Sequence, residues 1–223
     1  KIYFMVEESS FYPDVLLAYT IGVTHYSKAT EMIVDPGDLT KKIEIPRFET
    51  LAGIDQDLKD MKLAFDTFGF ETTNIENPTY SSMEMAMNDI HNEILRYLDE
   101  KKTVLVAVYF SGYGFMDADG SSLIVLDEDG KKGDHGKYRN YIYPLEYKLR
   151  RITEENAFII PFFDCCRLDL PEKDKYEADE QVMGDYEDFV KDSSEVKKFL
   201  PIYFSDAGQG VKADAHAAKT VQQ

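Results

Sequence analysis

The chain has 223 residues, 43% of them apolar and 13% aromatic, enough for one domain around a single sizeable core. Its formal net charge of −17 repels phosphate backbones and anionic lipid heads, which argues against a nucleic-acid role and favours basic peptides or basic protein partners. No apolar run approaches the roughly 20 residues that cross a bilayer, so no membrane span is expected.

Residues 1–8 lack a signal-peptide pattern, and a start at Lys1 leaves room for a preceding segment. The two cysteines are adjacent and cannot build a disulfide framework, which points to a reducing, cytoplasmic setting.

Residues 15–23 form a near-continuous apolar run, the pattern of a strand buried on both faces. Residues 24–47 are polar, carry the turn signal Asp35-Pro36-Gly37, and read as an exposed loop. Leu51, Ile54, Leu58, Met61, Phe65 and Phe68 recur at steps of three and four, predicting an amphipathic helix stopped by Gly69. Residues 70–75 are a short strand ended by Asn77-Pro78. Ser81 and Glu84 make a capping box, after which Met83, Met87, Ile90, Ile94 and Leu98 share one helical face.

Residues 103–110 predict a second buried strand, and residues 117–136 a polar, hairpin-like stretch. Pro144 opens a short helix bearing Leu145, Leu149 and Ile152, and residues 157–163 are the third buried strand. Residues 171–198 hold ten acidic and five basic residues without sustained apolar periodicity, the pattern of an exposed, mobile linker. Residues 200–204 are a last strand before a small, polar remainder. Strands alternating with helices predict βαβ units and a parallel sheet whose sites form in loops at the carboxyl ends of strands.

Two such loops carry chemistry. Ser111-Gly112-Tyr113-Gly114 closes the second buried strand, and Asp164-Cys165-Cys166-Arg167 closes the third. Cys166 follows Tyr113 by 53 positions. A Cys-Arg pair after a buried strand, with a Ser-Gly-x-Gly turn about 50 residues upstream, resembles the caspase-type cysteine peptidases. The resemblance to the caspase, metacaspase and paracaspase group covers nearly the whole chain. Residues 16–22 are similar to its first strand, 51–58 to the opening of its first helix, and 69–71 to the turn into its second strand. Residues 110–114 resemble its Ser-Gly-His-Gly turn, 164–167 its nucleophile motif, and 205–210 the loop after its next strand.

The resemblance implies an α/β fold: a three-layer sandwich with a mostly parallel central sheet of about 5–6 strands flanked by helices. It implies one domain over residues 1–223, with a large-subunit-like part (1–170), the acidic linker (171–198) and the start of a small-subunit-like part (199–223). In relatives the linker is cut during activation, and Lys173, Lys175, Lys191, Lys197 and Lys198 are the matching targets; the plainer reading is a solvated, flexible stretch. The family continues with a further helix and outer strand, so a missing C-terminal segment or a partner is expected to complete the sheet edge.

By resemblance Cys166 is the nucleophile, with Cys165 its buried neighbour, and the N–H groups of Gly114 and Cys166 face the oxyanion. Cys166 also has the bland reading of a small buried hydrophobe. Asp57 and Asp164 match the two aspartates that hold a basic side chain in the arginine/lysine-cutting branch. Asp57 equally suits stabilisation of a helix's first turn through its dipole.

Tyr113 stands at the position of the catalytic histidine. An imidazolium lowers a thiol's pKa, whereas a tyrosine, with pKa near 10, stays neutral and offers only a hydrogen bond. General acid–base help is worth about 10²–10⁴-fold, so its loss alone cripples peptide hydrolysis. His25, His91, His135 and His216 read as solvated surface.

The leading expectation is therefore a catalytically impaired caspase-like domain, an interaction or scaffold module with a cleft suited to basic peptides. The alternative is an active metacaspase- or paracaspase-like endopeptidase cleaving after arginine or lysine. No cofactor or metal is expected. Asp117-Ala118-Asp119-Gly120 and Asp127-Glu128-Asp129-Gly130 lack the full calcium-loop pattern, and calcium enters only because some relatives are calcium-activated.

Overall fold

The structure is a computed structural model that describes residues 4–6, 9–35, 37–128, 140–154, 156–171 and 198–205. The last part of the hairpin-like stretch, His135, His216, nearly all of the acidic linker and residues 206–210 of the last loop lie outside the described residues.

The chain opens with a small antiparallel hairpin, β1 (Phe4–Val6) and β2 (Ser9–Phe11). The first apolar run becomes β3 (Val15–Gly22). Next, the expected loop is instead a second antiparallel hairpin, β4 (Thr30–Asp35) and β5 (Asp38–Pro46). The turn signal holds, with the Gly37 N–H donating to Asp35 Oδ1 at 2.8 Å. The strands escaped the sequence pattern because neither face is sealed. Met32 is 59% exposed and Val34 48%, so no one-sided apolar alternation marks them.

Helix α1 (Ile54–Thr67) buries Ile54, Leu58 and Phe65 and turns at Gly69 into β6 (Glu71–Glu76). Helix α2 (Tyr80–Asp99) buries Met83, Met87, Ile90 and Ile94. Its cap is not the expected Ser81–Glu84 box: Thr79 is the N-cap, its hydroxyl accepting from the Ser82 N–H at 3.2 Å. Strand β7 (Val104–Ser111) is buried throughout. A short layer follows, made of β8 (Gly114–Met116), β9 (Ser122–Val125) and β10 (Ile142–Tyr143). Helix α3 (Leu145–Arg151) starts one residue after Pro144, which caps it rather than opening it. Strand β11 (Ala157–Asp164) leads through β12 (Leu168–Asp169), and β13 (Ile202–Tyr203) is shorter than expected.

The central sheet has the order β13-β11-β7-β3-β6, and every pairing in it is parallel. Two apolar clusters lie on its two faces. One joins α1 to Ala18, Leu105, Ala107, Tyr109 and Ile160. The other joins α2 and α3 to Val104, Val106, Val108, Phe110 and Phe163. This alternation along β7 and β11 is the three-layer arrangement of a sheet covered on both sides. Among the described residues no helix is long and apolar enough to cross a membrane.

Ile94 is fully buried in the α2 layer. Ile94→Ala is therefore expected to cost about 2–5 kcal/mol in urea unfolding with the native circular-dichroism spectrum retained. A cost below about 1 kcal/mol would mean that α2 is not part of the packed core.

Candidate functional site

Strand register sets the stage. Gly22 of β3 and Asp164 of β11 both align with Ser111 of β7, so three strands end at one level. The turns leaving that level carry the residues singled out from the sequence.

Glycine is required at 114. A Cβ built there would stand 2.6 Å from Cys165 Sγ and 3.0 Å from the Cys166 carbonyl oxygen, closer than real side chains approach. The turn after β7 thus rests directly on the turn after β11. Cys165 is buried beneath it, and Cys166 is half-buried. Burial pushes the Cys165 thiol well above its usual range, with the neighbouring Cys166 and Asp164 adding to the shift. Of the two sulfurs, Cys166 is the one that reagents can reach.

Tyr113 lies in an aromatic cage. Its ring meets Tyr26 edge-on at 5.0 Å and Phe48 at 5.2 Å. Its backbone N–H donates to the Tyr26 hydroxyl at 2.9 Å, and its carbonyl accepts from Val125 N–H at 2.9 Å. Arg47 backs the cage, its guanidinium 5.6 Å from the Phe48 ring centre and 5.3 Å from that of Tyr141, whose hydroxyl it also contacts. Burial raises the Tyr113 phenol, the charges of Glu49 and Cys166 raise it further, and a backbone bond at Glu49 offsets part of the effect. The phenol therefore holds its proton at neutral pH.

Asp57 and Asp164 come together on the α1 face. Tyr109 donates its hydroxyl to Asp164 Oδ2 at 3.0 Å. Asp57 accepts from the Ser111 hydroxyl. Desolvation raises the Asp57 carboxyl, and the Asp164 and Asp60 charges raise it further. A pair of carboxylates held this way is an anionic pocket able to pair with a guanidinium or ammonium.

The remaining candidates lie elsewhere. His91 pairs with Glu154 at 3.1 Å on the α2 layer. His25 is exposed, its backbone N–H donating to Asn77 Oδ1 at 3.3 Å. The acidic turn 117–120 uses its carboxylates on itself: Asp117 Oδ1 accepts from Ala118 N–H and Asp119 Oδ1 from Ser121 N–H. Among the described residues no group of three or more His, Cys, Asp or Glu side chains is arranged to hold a metal ion.

Sequence reasoning missed Tyr26, Phe48 and Tyr109, and quoted Ser111 in its turn without giving it a role. Tyr109 and Ser111 sit inside or at the end of an apolar strand, where a tyrosine reads as core. Tyr26 lies inside the stretch 24–47 read as an exposed loop, and Phe48 directly after it, although Tyr26 is only 1% exposed.

The anionic pocket makes a titration prediction. In ¹³C-detected NMR, the Asp57 carboxyl is expected to titrate above an ordinary aspartate, and Asp164→Asn is expected to bring its midpoint down, because one raising charge is gone. A midpoint at or below the ordinary range, unmoved by Asp164→Asn, would mean that the two carboxylates do not share a pocket.

A family model described as Caspase domain matches residues 17–220. No curated protein sequence matches the chain. The match spans both strand-end turns, Asp57, and the central sheet from residue 17 of β3 onward, and the chain belongs to the caspase-domain family of cysteine peptidases.

Proposed function

We propose that this caspase domain is catalytically impaired and works as an interaction or scaffold module whose cleft takes a basic side chain of a peptide or protein partner. The observation that carries this reading is a tyrosine, Tyr113, in the turn that packs against the Cys165–Cys166 turn, with its phenol held above its ordinary range by burial. Peptide hydrolysis by a thiol needs a group that takes the thiol's proton and later protonates the leaving amine. A phenol pushed above its ordinary pKa does not take that proton at neutral pH, and it carries no positive charge to favour a thiolate. The aromatic cage fixes the ring in that place, so the substitution is built into the packing.

The ligand class follows from Asp57 and Asp164. The Asp164 charge raises the cost of ionising Asp57, and an arginine or lysine side chain entering between them relieves that repulsion and makes charge-assisted hydrogen bonds. The net charge of −17 steers basic partners toward the domain.

A working endopeptidase cutting after arginine or lysine has one observation in its favour. Cys166 is half-exposed at the carboxyl end of a buried strand, in the family's nucleophile position.

The protein is expected to show no turnover of arginine- or lysine-ended fluorogenic peptides above that of Cys166→Ala, with or without calcium. It is expected to bind the same peptides, and Asp164→Asn to weaken that binding at least about tenfold. Turnover that Cys166→Ala abolishes would overturn the scaffold reading in favour of the peptidase. Binding unaffected by Asp164→Asn would overturn the basic cleft.

A further inference from the structure

Only Cys165, Cys166 and Arg167 separate the end of β11 from the start of β12. The loop is pinned on both sides of Cys166. The Cys165 carbonyl accepts from Ser205 Oγ at 2.7 Å. The Arg167 side chain donates from Nη2 to the Gly120 carbonyl at 3.0 Å, and its Cζ lies 3.7 Å from the centre of the Tyr203 ring. A guanidinium at that height over an aromatic face is held by the ring's electron-rich surface.

The platform under Arg167 is itself anchored. The Tyr203 ring stacks on Phe163, with centres 5.6 Å apart and planes 16° from parallel. Its hydroxyl donates to Glu146 Oε2 at 2.9 Å. Glu146 is 1% exposed, a depth at which a carboxylate is tolerated only when its acceptors are filled. Ser122 N–H donates to the same oxygen at 2.8 Å, and Arg150 donates to the other at 2.6 Å. Turning the Tyr203 ring would leave this buried acceptor short of a donor, so the ring has one orientation.

We propose that Tyr203 is a positioning residue for Cys166: its ring, held at fixed depth by Glu146, is the platform that sets Arg167 and hence the exposure of the neighbouring thiol. The named pairing of β13 with β11 is short, at Phe162↔Ile202 and Phe163↔Tyr203, and a bridge between Ile159 and Phe199 and a bond from Phe204 N–H to the Phe163 carbonyl extend it. The side-chain series Glu146–Tyr203–Arg167 connects α3 and β9 to the Cys166 loop. The inference rests on the reading of Cys166 as the exposed, reactive thiol of this domain, and it holds whether or not the domain turns over peptide.

Tyr203→Phe keeps the ring and removes the hydroxyl. Tyr203→Leu keeps apolar bulk and removes the aromatic face. The readouts are the NMR shift of the Arg167 Nε–H, which senses the ring current, and the rate at which iodoacetamide alkylates Cys166, resolved from Cys165 by fragment-ion mass spectrometry. The ring-current shift is expected in wild type and Tyr203→Phe and lost in Tyr203→Leu. Cys166 alkylation is expected to rise at least about threefold in Tyr203→Leu and by less in Tyr203→Phe, which keeps the aromatic face and loses only the hydroxyl that Glu146 holds. Ser205→Ala, which frees the Cys165 carbonyl, is a second variant expected to speed alkylation while leaving the Arg167 shift in place. A wild-type alkylation rate in Tyr203→Leu, or equal changes in the Phe and Leu variants, would overturn the proposal. The assay requires neither turnover nor peptide binding, so its failure is separate from failure of the proposed function.

Discussion

Gly114 and Cys165 approach so closely that no side chain fits between them. The rest of the site depends on that contact. It seats the turn leaving β7 on the turn leaving β11, and strand pairing between β8 and β12 continues the alignment beyond it. The same contact brings the turn that carries Tyr113 next to the turn that carries Cys166. The parallel register of β3, β7 and β11 supplies the common level from which both turns leave.

Two chemical environments lie side by side at that level. On the α1 face, Asp57, Asp164, Tyr109 and Ser111 form an anionic pocket. On the other side, the Tyr113 ring packs against Tyr26 and Phe48, in the turn that rests on the cysteine turn. Selecting a basic side chain would need only the carboxylates, whereas hydrolysis also needs a proton shuttle, so the proposed binding and the proposed loss of turnover rest on different residues.

Much of this was legible in the sequence because parallel strands buried on both faces leave unbroken apolar runs. The predicted strands at 15–23, 103–110 and 157–163 correspond to β3, β7 and β11 within a residue at each end. Helices α1 and α2 were equally plain, since their buried residues recur at helical spacing. The hairpin β4–β5 was not, because a two-stranded ribbon open on both faces has no apolar side to betray it. The cap of α2 was misread for a different reason. Thr79 and Ser81 are both competent caps, and only the geometry of the Ser82 N–H distinguishes them. The site was half legible: Tyr113, Gly114, Asp164 and Cys166 stand in recognisable turns, while Tyr26, Phe48 and Glu146 act through long-range contacts that local patterns do not record.

The central claim is that an uncharged phenol occupies the place where a proton acceptor would activate Cys166. The most direct measurement is the iodoacetamide alkylation rate of Cys166 in Tyr113→His beside wild type, near neutral pH. An imidazole titrates near 6.5 and can take up the thiol proton, so the histidine variant is expected to react at least about tenfold faster. An unchanged rate would contradict the account, because the phenol would then not be what keeps the thiol quiet.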